Sequence, residues 1–168
     1  TAEDLFGVWG ASADDVFAVG GHRVLCRWDG STWTAQQPYT DEGWLEGVWG
    51  SGADDVYAVG RDGWILRFDG SAWRRVGLPS EEDLWDVWGA AANDVYAAGA
   101  RGMMLHWDGA AWTPMTTGAG TSGFRGLGGT GPLDVWTVGE FGRVQRNQGG
   151  GWVALEHGPN DDLESIVA

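Results

Sequence analysis

The sequence predicts an all-β fold, a β-propeller of four-stranded antiparallel blades, on three observations. A set of motifs recurs with starts at residues 5, 45, 84, 124 and 163, spaced 39 or 40 residues apart, and a fixed period of that size marks a stacked or circular repeat architecture. Within each period, four short apolar runs are divided by Gly- and Asp-rich turns, and no run has helical periodicity. The chain also carries 13 Trp and 30 Gly; the Trp recur where a packed core would need large rings, the Gly where turns would fall.

The second repeat shows each element in order. Leu45–Gly50 is an apolar inner strand bounded by glycine, and Ser51–Asp54 supplies the first turn. Val56–Val59 is β-branched and aromatic, as strands prefer. Gly60–Gly63 is a second turn and Trp64–Phe68 a third strand. Asp69-Gly70 is a hairpin signal, because glycine tolerates the positive φ such turns need. Trp73–Val76 closes the blade, and Gly77–Asp83 leads to the next. Inner strands are expected near 5–10, 45–50, 84–89 and 124–129, in blades of about 5–44, 45–83, 84–123 and 124–162.

The count does not close evenly. Residues 163–168 repeat the first strand of a fifth blade, while blade 1 already owns Leu5–Gly10. Residues 1–168 are therefore either a single propeller domain or part of a larger propeller. Three arrangements stay open: a portion of a larger ring, a ring closed by further copies, or a four-bladed ring with 163–168 as a clasp. In the first two, another copy or a further chain covers the open blade faces. Repeat 4 is degraded, with Gly128 in the place of Trp49, Asn147 in that of Phe68 and Gln148 in that of the turn aspartate. The degraded positions suit either an atypical terminal repeat or a cavity or partner contact where the Trp ring is missing.

The motifs VWG, DVYAVG and DGSxW, as in Leu45–Gly50, Asp55–Gly60 and Asp69–Trp73, resemble repeats of secreted bacterial propeller proteins. They are also similar to the kelch and Asp-box groups. The resemblance spans residues 5–168 and implies a propeller on a secreted or cell-surface protein. By comparison with the Asp-box pattern S-x-D-x-G-x-T-W, it implies structural turn roles for Asp29, Asp69 and Asp108. Asp29-Gly-Ser-Thr-Trp33 lacks that pattern's spacer between Asp and Gly.

A net charge of −14 argues against sequence-independent binding to nucleic acid or to an anionic membrane surface. No apolar run approaches the roughly 18 residues of a membrane span, so no insertion is expected. Cys26, the one cysteine, stands where Leu66 and Leu105 stand and reads as a core residue. The acidic pairs Asp14/Asp15 and Asp54/Asp55, with Asn93/Asp94, are read as turn caps, since they lack EF-hand spacing for calcium. Arg27, Arg67, His106 and Arg146 should pair with Asp15, Asp55, Asp94 and Asp134 across neighbouring strands.

No nucleophile elbow is present, and His22, His106 and His157 fall in different repeats without metal-like spacing. No enzyme activity, cofactor or metal is expected, although abundant carboxylates keep a glycosidase or lyase open as the least favoured reading. Candidate binding residues are those that do not recur. Trp44, Trp64 and Trp85 should lie toward one face with Asp62 and Glu82, beside the variable turns Gly21–Arg23, Arg61-Asp62, Ala100-Arg101 and Glu140-Phe141. The links on that face add Asp41, Glu42, Glu81, Asp83, Asp161 and Asp162. Trp beside carboxylates suits carbohydrate, the favoured ligand; a protein partner is the alternative, and packing of these Trp in blade seams is the structural one.

Overall fold

The computed structural model describes residues 3–36, 43–76, 81–155 and 161–167. Asp41, Glu42 and His157 lie outside the described residues. Sixteen strands form four antiparallel sheets, each a meander in sequence order. Blade 1 holds β1 (Leu5–Ser12), β2 (Asp15–Gly20), β3 (Leu25–Trp28) and β4 (Trp33–Ala35). Blade 2 holds β5 (Leu45–Gly52), β6 (Asp55–Gly60), β7 (Ile65–Phe68) and β8 (Trp73–Arg75). Blade 3 holds β9 (Leu84–Ala91), β10 (Asp94–Gly99), β11 (Met104–Trp107) and β12 (Trp112–Pro114). Blade 4 holds β13 (Phe124–Gly131), β14 (Asp134–Gly139), β15 (Val144–Asn147) and β16 (Trp152–Leu155). Among the described residues there is no α-helix, and no helix long and apolar enough to cross a membrane.

The inner strands run two residues beyond the expected ends. A register shift between Gly10 and Ser12 lets β1 continue to a bridge with Asp15, and β5 and β13 do the same. A bulge of this kind extends a strand into its turn while bending it.

Inner strands pack in chain order, β1 on β5, β5 on β9 and β9 on β13. Each seam uses one ring and one glycine. A Cβ on Gly50 would sit 2.6 Å from the Trp9 ring, and one on Gly89 would sit 2.5 Å from that of Trp49. Trp88 lies likewise over Gly129. No side chain larger than hydrogen fits beneath those rings. Farther out, Phe17 meets Phe68 and Trp73 of blade 2 with centroids 5.7 and 5.8 Å away. Tyr57 meets Trp107 and Trp112 of blade 3, and Tyr96 meets Trp152 of blade 4.

Residues 163–167 lie against blade 4. The Leu163 amide donates to the Gly139 carbonyl at 3.1 Å. A Cβ on Gly126 would come within 2.8 Å of Ser165 Cα, as one on Gly47 would come within 3.0 Å of Asp86 Cα. The tail thus occupies the place of a next inner strand, and β1 keeps its own place against β2.

Candidate functional site on the axial face

The second residue of each inner strand is set apart by a register shift. Pairing skips Phe6 between Leu5 and Gly7, Glu46 between Leu45 and Gly47, and Arg125 between Phe124 and Gly126. In β9 the shift falls at Trp85, between Leu84 and Asp86. A bulge re-aims the side chain it carries, and here Phe6, Glu46, Trp85, Arg125 and, from the tail, Glu164 converge. With Arg61 and Asp83 they line an open cavity of about 420 Å³. A second cavity of about 360 Å³ shares these walls and adds Asp86 and Ser165.

Charges and rings alternate around this cavity. Arg61 Nε lies 3.0 Å from Glu46 Oε1, and its guanidinium lies 4.2 Å above the Trp44 ring. Trp44 also stacks on Phe6, with centroids 5.3 Å apart. The Arg125 guanidinium lies 4.6 Å above Trp85 and is flanked by Glu140 at 3.6 Å, Glu164 at 3.8 Å and Asp162 at 3.9 Å. Asp86 accepts from the Val87 amide at 2.8 Å and, across the blade seam, from the Leu127 amide at 2.7 Å. Burial between the inner strands pushes its carboxyl up to about 6, and the two amide bonds oppose that rise. With both oxygens committed to backbone, Asp86 acts as a staple.

The second turn of each blade forms the rim. His22, Asp62, Arg101 and Phe141 hold the same place in successive blades, with φ of 51°, 57°, 53° and 59°. All four are exposed. This left-handed conformation disfavours side chains. In two blades the amide of that residue is held by the neighbour: Asp62 N donates to Asp83 Oδ1 and Phe141 N to Asp162 Oδ1, both at 3.0 Å.

The structure brings Trp85 to the cavity wall, sets Trp44 against the lining residues Phe6 and Arg61, and places Asp62 on the rim. Glu82 sits beside that rim, 3.6 Å from Arg101. Trp64 is elsewhere: it is 6% exposed, with the guanidinium groups of Arg23 and Arg75 at 3.5 and 4.1 Å over its ring. Its geometry is that of a seam residue. Arg61 was named from sequence only as part of a variable turn, and Phe6, Glu46, Arg125 and Glu164 were not among the candidates. The signal of those four was present, because Phe, Glu, Trp, Arg and Glu fill one phase of a repeat whose neighbours barely change.

The recurring charges are structural. Arg27 Nε–Asp15, Arg67 Nε–Asp55, His106 Nε2–Asp94 and Arg146 Nε–Asp134 lie at 2.6, 2.8, 2.6 and 2.7 Å, one per blade. Asp29 Oδ1 accepts from the Ser31 and Thr32 amides, and Asp69 and Asp108 repeat this in blades 2 and 3. Those bonds hold the Asp29 and Asp108 carboxyls below the usual range, and at Asp69 the Ser71 hydroxyl does so first, with the two amides adding to it. In blade 4, Asn147 performs the task one residue early, accepting from the Gly149 and Gly151 amides. Among the described residues no three His, Cys, Asp or Glu side chains gather as a metal cage.

No protein-family profile and no curated protein matches the sequence. Solved structures do share its shape. The WD40 β-propeller domain of Doa1 superposes with a TM-score of 0.78 at 12% identity, covering 96% of this chain and 57% of that one. YCF48 from Cyanidioschyzon merolae gives 0.73 at 16%, covering 98% and 60%. YCF48 bound to a D1 peptide gives 0.72 at 16%, covering 92% and 55%. The chain is a β-propeller in fold, and it spans little more than half the length of each of these similar chains.

Proposed function

We propose that this protein is a non-enzymatic binding scaffold that takes a polypeptide segment on its axial face. The observation that carries this reading is the alternation of Arg61, Glu46, Arg125 and Glu164 around one cavity of about 420 Å³. Paired charges of both signs, held by cation–π and carboxylate contacts, match the mixed charges and amides of an extended peptide. The ring of Trp44 is already covered by Phe6 and Arg61, which leaves little for a sugar to stack on. Asp86, the carboxyl whose protonation is most displaced upward, has both oxygens on backbone amides, which supports a binding role over a catalytic one. That YCF48, similar in shape, has been solved with a D1 peptide supports the same reading.

A second reading is carbohydrate recognition, favoured by Trp85 on the cavity wall beside Asp83, Glu46 and Glu164. For either ligand the proposed setting is a secreted or cell-surface protein. Peptide and glycan arrays run side by side separate the two. We expect peptide binding that weakens at least about tenfold, or roughly 1.4 kcal/mol, in Arg61→Ala and Arg125→Ala. Glycan binding lost in Trp85→Ala but retained in Arg61→Ala would overturn the polypeptide reading.

A further inference from the structure

Every blade seam described above has a receiving side and a giving side. The giving blade supplies a Trp from its inner strand and an aromatic from its second strand. The receiving blade supplies a glycine for the first and, for the second, a pair of rings in blades 2 and 3 and Trp152 alone in blade 4. Blade 1 has both sides, and its receiving side is open. Leu5 is 58% exposed where Leu45 is 0%, Val8 is 70% where Val48 is 9%, and Trp33 is 50% where Trp73 is 7%. Gly10 holds the place of Gly50 and Gly89. The nearest atoms to a Cβ there come from Val16, Ser12 and Asp15 of its own hairpin, with no ring among them. Trp28 and Trp33 stand paired at 5.7 Å, as Phe68 and Trp73 stand at 5.4 Å where they receive Phe17. Asp4 holds the place from which Asp83 and Asp162 cap the preceding blade's turn.

We infer that this face is the seat of one further blade of the same repeat. That blade carries Trp at the position of Trp49 for Gly10, and Phe or Tyr at the position of Tyr57 for Trp28 and Trp33. A second copy of this chain does not fit the role. Head to tail, its blade 1 would need the place beside β13, which residues 163–167 already fill. Its giving side would then be blade 4, where Gly128 stands in place of the Trp. The tail of a second copy brings an inner strand alone, with nothing to cover Trp28 and Trp33.

The test adds a known giving blade to the whole chain, by fusing a copy of residues 45–83 directly ahead of Leu5. Hydrogen exchange is followed in Leu5–Ser12 and Trp33–Ala35. We expect exchange there to slow at least tenfold in a monomeric fusion. Gly10→Ala, which fills the socket, should abolish the gain in the fusion, while in the unfused chain, where its Cβ would lie 3.1 Å from Val16 Cγ2, its effect on exchange should be small by comparison. Trp→Ala in the added blade alone should do the same. Unchanged exchange in the fusion, or a gain indifferent to both substitutions, overturns the proposal. So does concentration-dependent protection of Leu5–Ser12 in the unfused chain, which would make a second copy the occupant.

Discussion

Blades 2 and 4 share a backbone and differ in what fills it. Their second and third strands pair in the same register, Val56 with Phe68 and Val135 with Asn147. Where blade 2 has Trp49, Ala58, Leu66 and Phe68, blade 4 has Gly128, Thr137, Gln145 and Asn147. The polar substitutes find partners. Thr137 Oγ1 donates to the Gly126 carbonyl at 3.0 Å, Gln145 Nε2 donates to Thr117 O at 3.2 Å, and Asn147 caps its turn. The missing ring at Gly128 is filled by Ile166, whose Cγ2 lies 3.2 Å from where a Cβ would be. The lesson is that bulges, tight turns and cross-strand ion pairs hold the blade's frame. The core can exchange apolar for polar groups where those groups are hydrogen-bonded.

The sharpest way to break this comparison is at the ring itself. Trp49→Ala should destabilise by about 3 kcal/mol, the low end for a large aromatic because the ring is half-buried. Gly128→Ala should cost far less, and equal denaturant midpoints for the two would refute the Trp–Gly seam. Next comes the polar core. Leu66→Gln should cost about 2 kcal/mol, because it puts an amide into the apolar cluster that holds Phe17, Leu45 and Phe68. Gln145→Leu should stay within about 1 kcal/mol, since Gln145 Oε1 has no partner to lose. A larger loss in Gln145→Leu would show that the network in blade 4 is obligatory.

A third measurement sets Asp86 against the turn aspartates. A carboxyl raised to about 6 from its ordinary 3.8 binds more protons folded than unfolded. Stability should therefore fall as pH rises from about 4 to 6, by on the order of 1 kcal/mol, and Asp86→Ala should flatten that slope. Asp29, Asp69, Asp108 and Asp134 are held low, so their contribution is present above the ordinary carboxylate range. It is lost as pH falls below that range, with the opposite sign. Thermal melts from pH 2 to 7 should thus pass through a maximum near pH 4. The smallest effect is expected at the ion pairs: Asp55→Asn should cost under about 1 kcal/mol, and less still in 1 M salt.

What recurs was legible. The inner strands, the hairpin aspartates and the Arg–Asp pairs appear in sequence because every blade needs the same residue at the same phase. The axial cluster was half legible. Trp44 and Trp85 stood out as unrepeated rings, but nothing in composition announces that a bulge at position 46 or 125 turns a charged side chain toward the axis. Trp64 looked the same in sequence as Trp85, and only the approach of Arg23 from a turn of blade 1 and of Arg75 from β8 makes it a seam residue. The shift of the turn cap from position 148 to Asn147 was hidden for a similar reason, since an amide one residue earlier reaches the same backbone groups.

The left-handed turns on the rim have a consequence for how such a surface changes over generations. Four unlike side chains, an imidazole in His22, a carboxylate in Asp62, a guanidinium in Arg101 and a phenyl ring in Phe141, are presented from one backbone conformation at one height. The conformation itself selects against all of them in favour of glycine, by roughly 1 kcal/mol each. Glycine at any one would therefore be expected to firm the blade while erasing a letter from what the rim displays. A protein built this way can rewrite its recognition surface one position at a time, because the frame beneath is indifferent to which letter is written there.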